Sequence, residues 1–135
     1  MIKFLDLYRQ DKNLHKSILT KIDKLFKKGD FILGNEVSSF EKNFSKFCGS
    51  KFAIGCGNGT DALTLALSSL DLPRNSEVII PAMTYCSTAF SVLKANLKPV
   101  LVDTDILKST ISIDKLKKKI NKKTKVILPV HLYGS

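Results

Sequence analysis

Residues 51–135 alternate short, continuously apolar runs with segments of helical periodicity, and this alternation constrains the fold more than any other feature of the chain. Apolar runs without polar interruption are typical of strands buried on both faces, as in parallel sheets covered by helices. The expected strands are Phe52–Gly55, Glu77–Pro81, Pro99–Asp103 and Lys125–Val130, with helices over 61–70, 84–95 and 113–121 between them. The pattern predicts an α/β fold with a parallel sheet and flanking helices.

Residues 1–50 show helical periodicity without such runs. The apolar positions of the two expected helices are Leu14, Ile18, Ile22, Leu25 and Phe26, then Val37, Phe40, Phe44 and Phe47. Gly29 and Gly49 follow them as helix-ending residues. We therefore expect a helical segment over residues 1–50 and the first part of a larger domain over 51–135. The last strand ends close to Ser135, where a crossover helix normally follows, so we expect the domain to be truncated there.

Composition and motif content exclude several classes of protein. No apolar run approaches the roughly 20 residues of a membrane span, and the N-terminus lacks the apolar core of a secretory signal. The three cysteines, Cys48, Cys56 and Cys86, fit neither a disulfide framework nor a paired metal site. We expect a cytoplasmic protein with reduced thiols, no membrane association and no metal.

The net charge of +10 is concentrated in one short stretch. Residues 113–125 contain seven lysines against the single acidic residue Asp114. A basic nucleic-acid-binding module is one interpretation of this stretch, and the solvated face of a helix is the other. Because no aromatic residue or arginine is interleaved with the lysines, the pattern favours a solvated face and predicts no nucleic-acid partner.

A glycine-rich loop lies between the first expected strand and the next helix. Its sequence places Gly55, Gly57 and Gly59 directly before Thr60 and Asp61. Unpaired N–H groups at the start of a helix, together with a threonine hydroxyl, suit an anion such as phosphate. A tight turn in which Thr60 or Asp61 only caps the helix explains the same residues.

Two ligand classes suit a phosphate loop at this position. Dinucleotide and adenosyl-methionine sites require an acidic residue at the end of the second strand, but Asp103, one strand later, is the first acidic residue at a strand end. The other class is a flat ring that carries a phosphate. Tyr85 follows the second strand at the same edge of the sheet as the glycine loop, where an aromatic side chain could stack on such a ring. The alternative is that Tyr85 is an ordinary core aromatic residue at the start of a helix.

Seven motifs occur in one order that resembles a known family, and together they cover essentially the whole chain. They are Gly29–Gly34, Phe40-Glu41, Phe47–Gly49, Gly55–Leu63, Pro81–Tyr85, Val102-Asp103 and Pro129–Gly134. The series resembles the DegT/DnrJ/EryC1/StrS family of sugar aminotransferases. The resemblance implies the large domain of a fold type I transferase that depends on pyridoxal 5′-phosphate, and it displaces the interpretation of the loop as an adenosyl-methionine site of a methyltransferase.

The resemblance also implies which residues bind the cofactor. Gly59, Thr60 and Asp61 match the phosphate-binding turn of the family, in which backbone amides and the threonine hydroxyl are the donors. Tyr85 matches the aromatic residue that stacks on the pyridine ring.

On the substrate side, the resemblance implies a homodimer that transfers an amino group to a nucleotide-linked keto-sugar, commonly from glutamate. The products usually enter surface polysaccharides. Phe31 and Gly34 belong to a segment near the substrate end of the site, and His131 and Tyr133 match a strand-end motif near the cofactor.

The catalytic lysine of the family does not match any residue of this chain. In the family, that lysine and the acidic residue that pairs with the pyridine nitrogen lie beyond the fourth strand, hence beyond Ser135. We therefore expect no catalytic residue among the 135 and no transamination by this chain alone. Some family members carry histidine in place of the lysine and act as dehydratases, and this alternative stays open.

Overall fold

The structure is a computed structural model that describes residues 4–134, apart from the side chain of Gln10. The described chain forms two compact units, one ending at Gly55 and the other beginning at Cys56. The first unit contains α1 (Leu7–Gln10), α2 (Lys12–Lys28) and α3 (Asn35–Cys48). The second contains α4 (Gly59–Ser68), β1 (Glu77–Pro81), α5 (Ser87–Lys94), β2 (Lys98–Val102), α6 (Ile113–Lys119), β3 (Thr124–Ile127) and a 3-10 turn (Leu132–Gly134).

In the first unit, both expected helices are confirmed, and each ends at the glycine that the sequence suggested. Gly29 and Gly49 adopt φ values of +68° and +66°, a left-handed conformation that glycine adopts without steric cost. The N–H of Gly29 donates to the carbonyl of Leu25 at 3.0 Å, which closes the last turn of α2. No helix among residues 4–134 is long and apolar enough to cross a membrane.

The expected strand over 52–55 is wrong, because the described chain has no strand there. A strand forms only when a neighbouring strand completes its ladder of hydrogen bonds, and the sheet described within residues 4–134 contains β2, β1 and β3 alone. The N–H of Gly55 instead donates to Oε1 of Glu41, on α3, at 2.7 Å. Phe52 and Ile54 are 70% and 84% exposed, so the apolar content of the run predicted neither its pairing nor its burial in the described chain.

The second unit contains a parallel three-stranded sheet in the order β2-β1-β3. All five residues of the central strand β1 are buried. Because successive side chains of a strand point to opposite faces, Val78 and Ile80 pack with residues of α4 and α5, while Ile79 packs with Leu116 of α6. Helices thus cover both faces of the sheet, and the predicted parallel α/β arrangement of this unit is confirmed for its three strands.

A buried carboxylate at the start of β1 is bonded to a lysine of β2 and to an asparagine of the segment before β3. The Glu77 side chain is only 9% exposed. It accepts hydrogen bonds from Nδ2 of Asn121 at 2.8 Å and from Nζ of Lys98 at 3.1 Å. These two hydrogen bonds hold the pKa of Glu77 below its ordinary value.

We predict that this carboxylate makes stability depend on pH. A lowered pKa in the folded state contributes stability above the unfolded-state pKa, and this contribution disappears as the pH falls through the folded-state pKa. Glu77→Gln is expected to lower the melting temperature at neutral pH, and the difference from the unmodified protein is expected to narrow below about pH 4.5. This difference in melting temperature is measured by thermal unfolding, monitored by circular dichroism, at pH values from neutral to below about 4.5. A difference of constant size at every pH would contradict this prediction.

Candidate functional site

One cavity of about 560 Å³ lies in the second unit where α4 and α5 begin. Its volume is in the range of small-molecule sites. The residues that line it combine hydroxyl, aromatic and aliphatic side chains. They are Gly59, Thr60, Ala62, Leu63, Thr84, Tyr85, Ser87, Thr88, Val130 and Leu132. The glycine loop and the expected stacking residue are therefore brought together, although Tyr85 follows Thr60 by 25 positions in the sequence.

The first turn of α4 presents backbone donors at this cavity. Asn58 caps the helix, and its Oδ1 accepts from the N–H of Asp61 at 3.0 Å. The N–H groups of Gly59 and Thr60 have no protein acceptor in the described chain, as expected for the first two positions of a helix. A Cβ on Gly59 would meet no atom within 4 Å, so this side of the turn is open. These two N–H groups and the positive end of the helix dipole favour an anion.

Asp61 lies beside the cavity and is not among the residues that line it. Its carboxylate accepts from Nδ2 of Asn58 at 2.8 Å and lies 3.9 Å from Nζ of Lys94 on α5. Its N–H is already bonded to Asn58. In this geometry Asp61 stabilises the cap of α4, and its negative charge is balanced by protein groups.

Ser87 is a site residue that the sequence prediction missed. The Thr60 hydroxyl donates to Oγ of Ser87 at 2.8 Å, and this hydrogen bond joins the first turn of α4 to the first turn of α5. A second pair, Thr84 and Thr88, shares a hydrogen bond of 2.9 Å on the same cavity. Ser87 could have been identified from its position in the sequence, because it stands two residues after the expected stacking residue Tyr85.

Tyr85 lies at the cavity on the segment between β1 and α5. Its carbonyl accepts from the N–H of Thr88 at 3.0 Å, which fixes the backbone of this segment. The side chain is 76% exposed, so its ring is not used in the protein core. An exposed aromatic ring beside backbone donors is suited to a planar, anionic ligand.

His131 and Tyr133, the two residues expected near the cofactor from the last strand, are not among the residues that line this cavity. Val130 and Leu132 line it, while His131 lines a second cavity of about 500 Å³ that also includes Asp105 and Lys108. Tyr133 is 86% exposed and has a φ of +58°. Val130 lines both cavities, whereas His131 is among the lining residues of the second alone.

Phe31 and Gly34 belong to the first unit and take part in its own packing. The Phe31 ring contacts the Phe26 ring edge to face, with centroids 5.4 Å apart. Gly34 caps α3, and a Cβ there would overlap the Asp30 carboxylate. That carboxylate accepts from the N–H of Asn35 at 3.3 Å, so Gly34 allows a close approach between a loop and a helix start.

Asp103, the acidic residue that follows β2, is paired with a lysine. Lys115 of α6 donates to Oδ2 of Asp103 at 2.8 Å. This hydrogen bond, followed by the charge of the same lysine, holds the pKa of Asp103 below its usual value. Among residues 4–134, no group of three or more histidine, cysteine or acidic side chains is placed to hold a metal ion.

Comparison with known proteins gives consistent matches. The profile of the DegT/DnrJ/EryC1/StrS aminotransferase family matches residues 12–135. The dTDP-3-amino-3,6-dideoxy-alpha-D-galactopyranose transaminase of Aneurinibacillus thermoaerophilus is 42% identical over 136 residues, which cover 99% of this chain and 37% of the relative. The chain thus spans just over a third of the length of that relative.

Two solved structures resemble the fold. DesV of S. venezuelae, determined in complex with a ketimine intermediate, has a TM-score of 0.91 and 34% identity over 98% of this chain and 36% of its own. The E. coli GDP-4-keto-6-deoxy-D-mannose-3-dehydratase, determined with bound hydrated PLP, has a TM-score of 0.78 and 29% identity over 84% of this chain and 31% of its own. These similarities confirm the predicted fold type I architecture. The chain belongs to the DegT/DnrJ/EryC1/StrS aminotransferase family.

Proposed function

We propose that this chain forms the phosphate- and ring-binding part of a pyridoxal-phosphate-dependent aminotransferase that acts on a nucleotide-linked keto-sugar. The observation that carries the proposal is one cavity that joins the unpaired N–H groups of Gly59 and Thr60 to the exposed ring of Tyr85. Family membership gives this geometry its chemical meaning, because the similar proteins are transaminases and a dehydratase of nucleotide-linked sugars.

The residues of the cavity fit the cofactor. A phosphate needs donors without a nearby unbalanced carboxylate, and the lining residues that the structure describes include no acidic side chain. A pyridine ring needs flat or aliphatic contacts, which Tyr85, Leu63 and Val130 provide. The closest acidic residue in the loop, Asp61, is bonded to Asn58 and faces Lys94.

Pyridoxal phosphate, when bound, supplies an electron sink that allows an amino group to be exchanged for a carbonyl oxygen. The residues of this chain hold and orient it. The N–H groups of Gly59 and Thr60 bind the phosphate, and the Tyr85 ring covers one face of the ring plane and excludes water from it. Preorganised donors of this kind are already oriented before the ligand arrives, which lowers the cost of binding.

We further propose that these 135 residues bind the cofactor without catalysing the exchange by themselves. No lysine occurs among the described residues that line the cavity. The lysines of residues 115–123 are exposed, and none of them is among the residues that line the cavity.

Family membership supports further proposals about the substrate and the assembly. We propose glutamate as amino donor, an amino sugar for surface polysaccharide as product, a cytoplasmic location and a homodimer. Phe31 and Gly34 are proposed to lie toward the substrate, as are His131 and Tyr133. The lysine-rich face of α6 is proposed to be solvated surface without a nucleic-acid partner, and its Lys115 is already paired with Asp103.

An assay of amino transfer tests the proposed function. A protein that contains this chain together with the catalytic lysine of the family is incubated with pyridoxal phosphate, L-glutamate and nucleotide-linked keto-sugars, and products are identified by mass spectrometry. The proposal predicts a sugar that has gained nitrogen, and 2-oxoglutarate in equal amount. A sugar that loses a hydroxyl oxygen and gains no nitrogen would instead support a dehydratase, the second candidate, which the similarity to the E. coli 3-dehydratase favours. If no keto-sugar gave either product, the result would count against the aminotransferase and the dehydratase alike.

A substitution of the stacking residue tests the ring contact. Tyr85→Leu is expected to weaken binding of pyridoxamine phosphate and of pyridoxamine by the same factor, about 3- to 10-fold, because stacking involves the ring that both ligands share. Tyr85→Phe, the matched control, keeps the ring and is expected to change either affinity by less than about 2-fold. Fluorescence titration measures the affinity of each variant for pyridoxamine phosphate and for pyridoxamine. A loss confined to the phosphorylated ligand would show that Tyr85 contacts the phosphate instead.

A further inference from the structure

A cavity of about 350 Å³ lies at the edge of the sheet where the parallel strands begin, and we call it the basic cavity. It is lined by the segment 73–76, which precedes β1, and by Lys122, Lys123 and Lys125 at the start of β3. The cofactor cavity, in contrast, is lined by residues that follow β1. The five residues of β1, about 16 Å at about 3.3 Å per residue, separate the two cavities.

The basic cavity has four positive side chains among its lining residues and no acidic one. They are Arg74, Lys122, Lys123 and Lys125. None of the four forms an ion pair with a carboxylate in the part of the chain that the structure describes. Glu77, the next residue after the segment 73–76, is already bonded to Lys98 and Asn121. Four uncompensated like charges around one cavity repel one another, and a bound anion relieves this repulsion.

Hydrogen bonds to Asn96, in the turn before β2, hold the segment that carries Arg74. Nη2 of Arg74 donates to Oδ1 of Asn96 at 3.4 Å, and the N–H of Asn75 donates to the carbonyl of Asn96 at 3.0 Å. The remaining N–H groups of the guanidinium have no acceptor in the described chain. A guanidinium held in this way can pair with two oxygens of one phosphate, because its planar fork matches their spacing.

The lysines enter the basic cavity from a turn that is fixed to β1. Oδ1 of Asn121 accepts from the N–H of Lys123 at 2.8 Å, and Nδ2 of Asn121 donates to the Glu77 carboxylate at 2.8 Å. The N–H of Glu77 donates to the carbonyl of Lys123 at 2.9 Å. These bonds bring two segments that are distant in the sequence to one cavity, and they hold its backbone before a ligand arrives.

We propose that the basic cavity binds a diphosphate group, with Arg74 paired to one phosphate and the lysines of the turn placed around the other. A diphosphate has more negative charge than a single phosphate and extends over two phosphate groups, which matches cations that come from two segments. The cavity volume is at the small end of the range for ligand sites. This site is separate from the cofactor cavity, so the proposal goes beyond the proposed function and does not depend on it.

The test is a titration of the 15N-labelled protein with inorganic pyrophosphate, in which the affinity is determined from the amide resonances of Asn75 and Ser76. These amides report on the basic cavity alone, so binding of the same anion at the start of α4 does not enter the result. Arg74→Gln removes the guanidinium, and Lys122→Gln removes a charge from the other segment. Lys117→Gln is the matched control, because Lys117 is an exposed lysine of α6 outside the cavity.

Arg74→Gln is expected to weaken pyrophosphate binding about 10-fold or more, the effect of losing hydrogen bonds between charged groups. Lys122→Gln is expected to weaken it about 3-fold, and Lys117→Gln less than about 1.5-fold. Losses of equal size in Arg74→Gln and Lys117→Gln would overturn the proposal, because net charge and not the cavity would then decide the affinity. A loss in Arg74→Gln without one in Lys122→Gln would also overturn it, since the two segments would not form one site.

Inorganic phosphate and uridine diphosphate, titrated in the same way, define the ligand. Inorganic phosphate is expected to bind about 10-fold or more weakly than pyrophosphate, because it can pair with only one of the two segments. Uridine diphosphate that binds at least as tightly as pyrophosphate would support a nucleotide as the source of the diphosphate, and weaker binding would support free pyrophosphate. Equal affinities for phosphate and pyrophosphate, or no response of the Asn75 and Ser76 amides to any of the three anions, would overturn the proposal.

Discussion

Thr60→Asp is expected to weaken the binding of pyridoxamine phosphate at least about 100-fold relative to Thr60→Asn. Two unit charges about 4 Å apart near a protein surface repel by about 4 kcal/mol, and a phosphate carries more than one charge. The Asn and Asp side chains have nearly the same shape, and both remove the Thr60 hydroxyl that donates to Ser87. The comparison therefore isolates the effect of charge at the second position of α4.

The same pair of variants separates a loss of binding from a loss of folding. An acidic residue in the first turn of a helix is favourable by about 0.3–1 kcal/mol. Thr60→Asp is therefore expected to melt no lower than Thr60→Asn, although it binds far more weakly. Calorimetric titration and thermal unfolding on the same samples provide both quantities. Similar affinities for the two variants would mean that no anion binds at the start of α4.

Ile80→Ala is expected to destabilise the second unit by about 2–5 kcal/mol, the usual cost of removing a large aliphatic side chain from a packed core. Ile80 is completely buried on the central strand and packs in the cluster that includes Leu67 and Val92. Its register partner on β2, Leu101, is 57% exposed.

Leu101→Ala is the matched control, since it also shortens an aliphatic side chain in the same row of the sheet. It is expected to cost less than about 1 kcal/mol, because most of the side chain is already in water. Urea unfolding of both variants compares the free energies directly. Equal losses would indicate that the outer face of β2 is as well covered as the centre of the sheet, which would contradict the arrangement of the layers.

Much of the second unit could be predicted from sequence because its signals are local. A continuous apolar run such as 78–81 is typical of a strand at the centre of a parallel sheet, where β1 lies. Strand pairing is not local, and this explains the error over residues 52–55. Those residues have the composition of a strand, but Gly55 bonds to a side chain of α3 and not to another strand.

The candidate site could be predicted only in part, because some of its residues lie in local sequence motifs and others are brought together by packing. The glycine loop and Tyr85 follow from motifs, and the structure brings them to one cavity. The contact between Thr60 and Ser87 depends on how α4 packs against α5, which no motif in the sequence expresses. The orientation of His131 likewise depends on the pairing of the chain near the last strand, where Leu128 donates to the carbonyl of Ile79.

The most direct test of the central claim is a titration of the 15N-labelled protein with pyridoxamine phosphate, followed by amide NMR. The account predicts that the amide resonances of Gly59 and Thr60 shift most, that they saturate together, and that inorganic phosphate competes at the same two amides. If the largest shifts instead occur around the cavity of Asp105, Lys108 and His131, or if the amides of Gly59 and Thr60 do not respond, the start of α4 is not the phosphate site and the account is wrong.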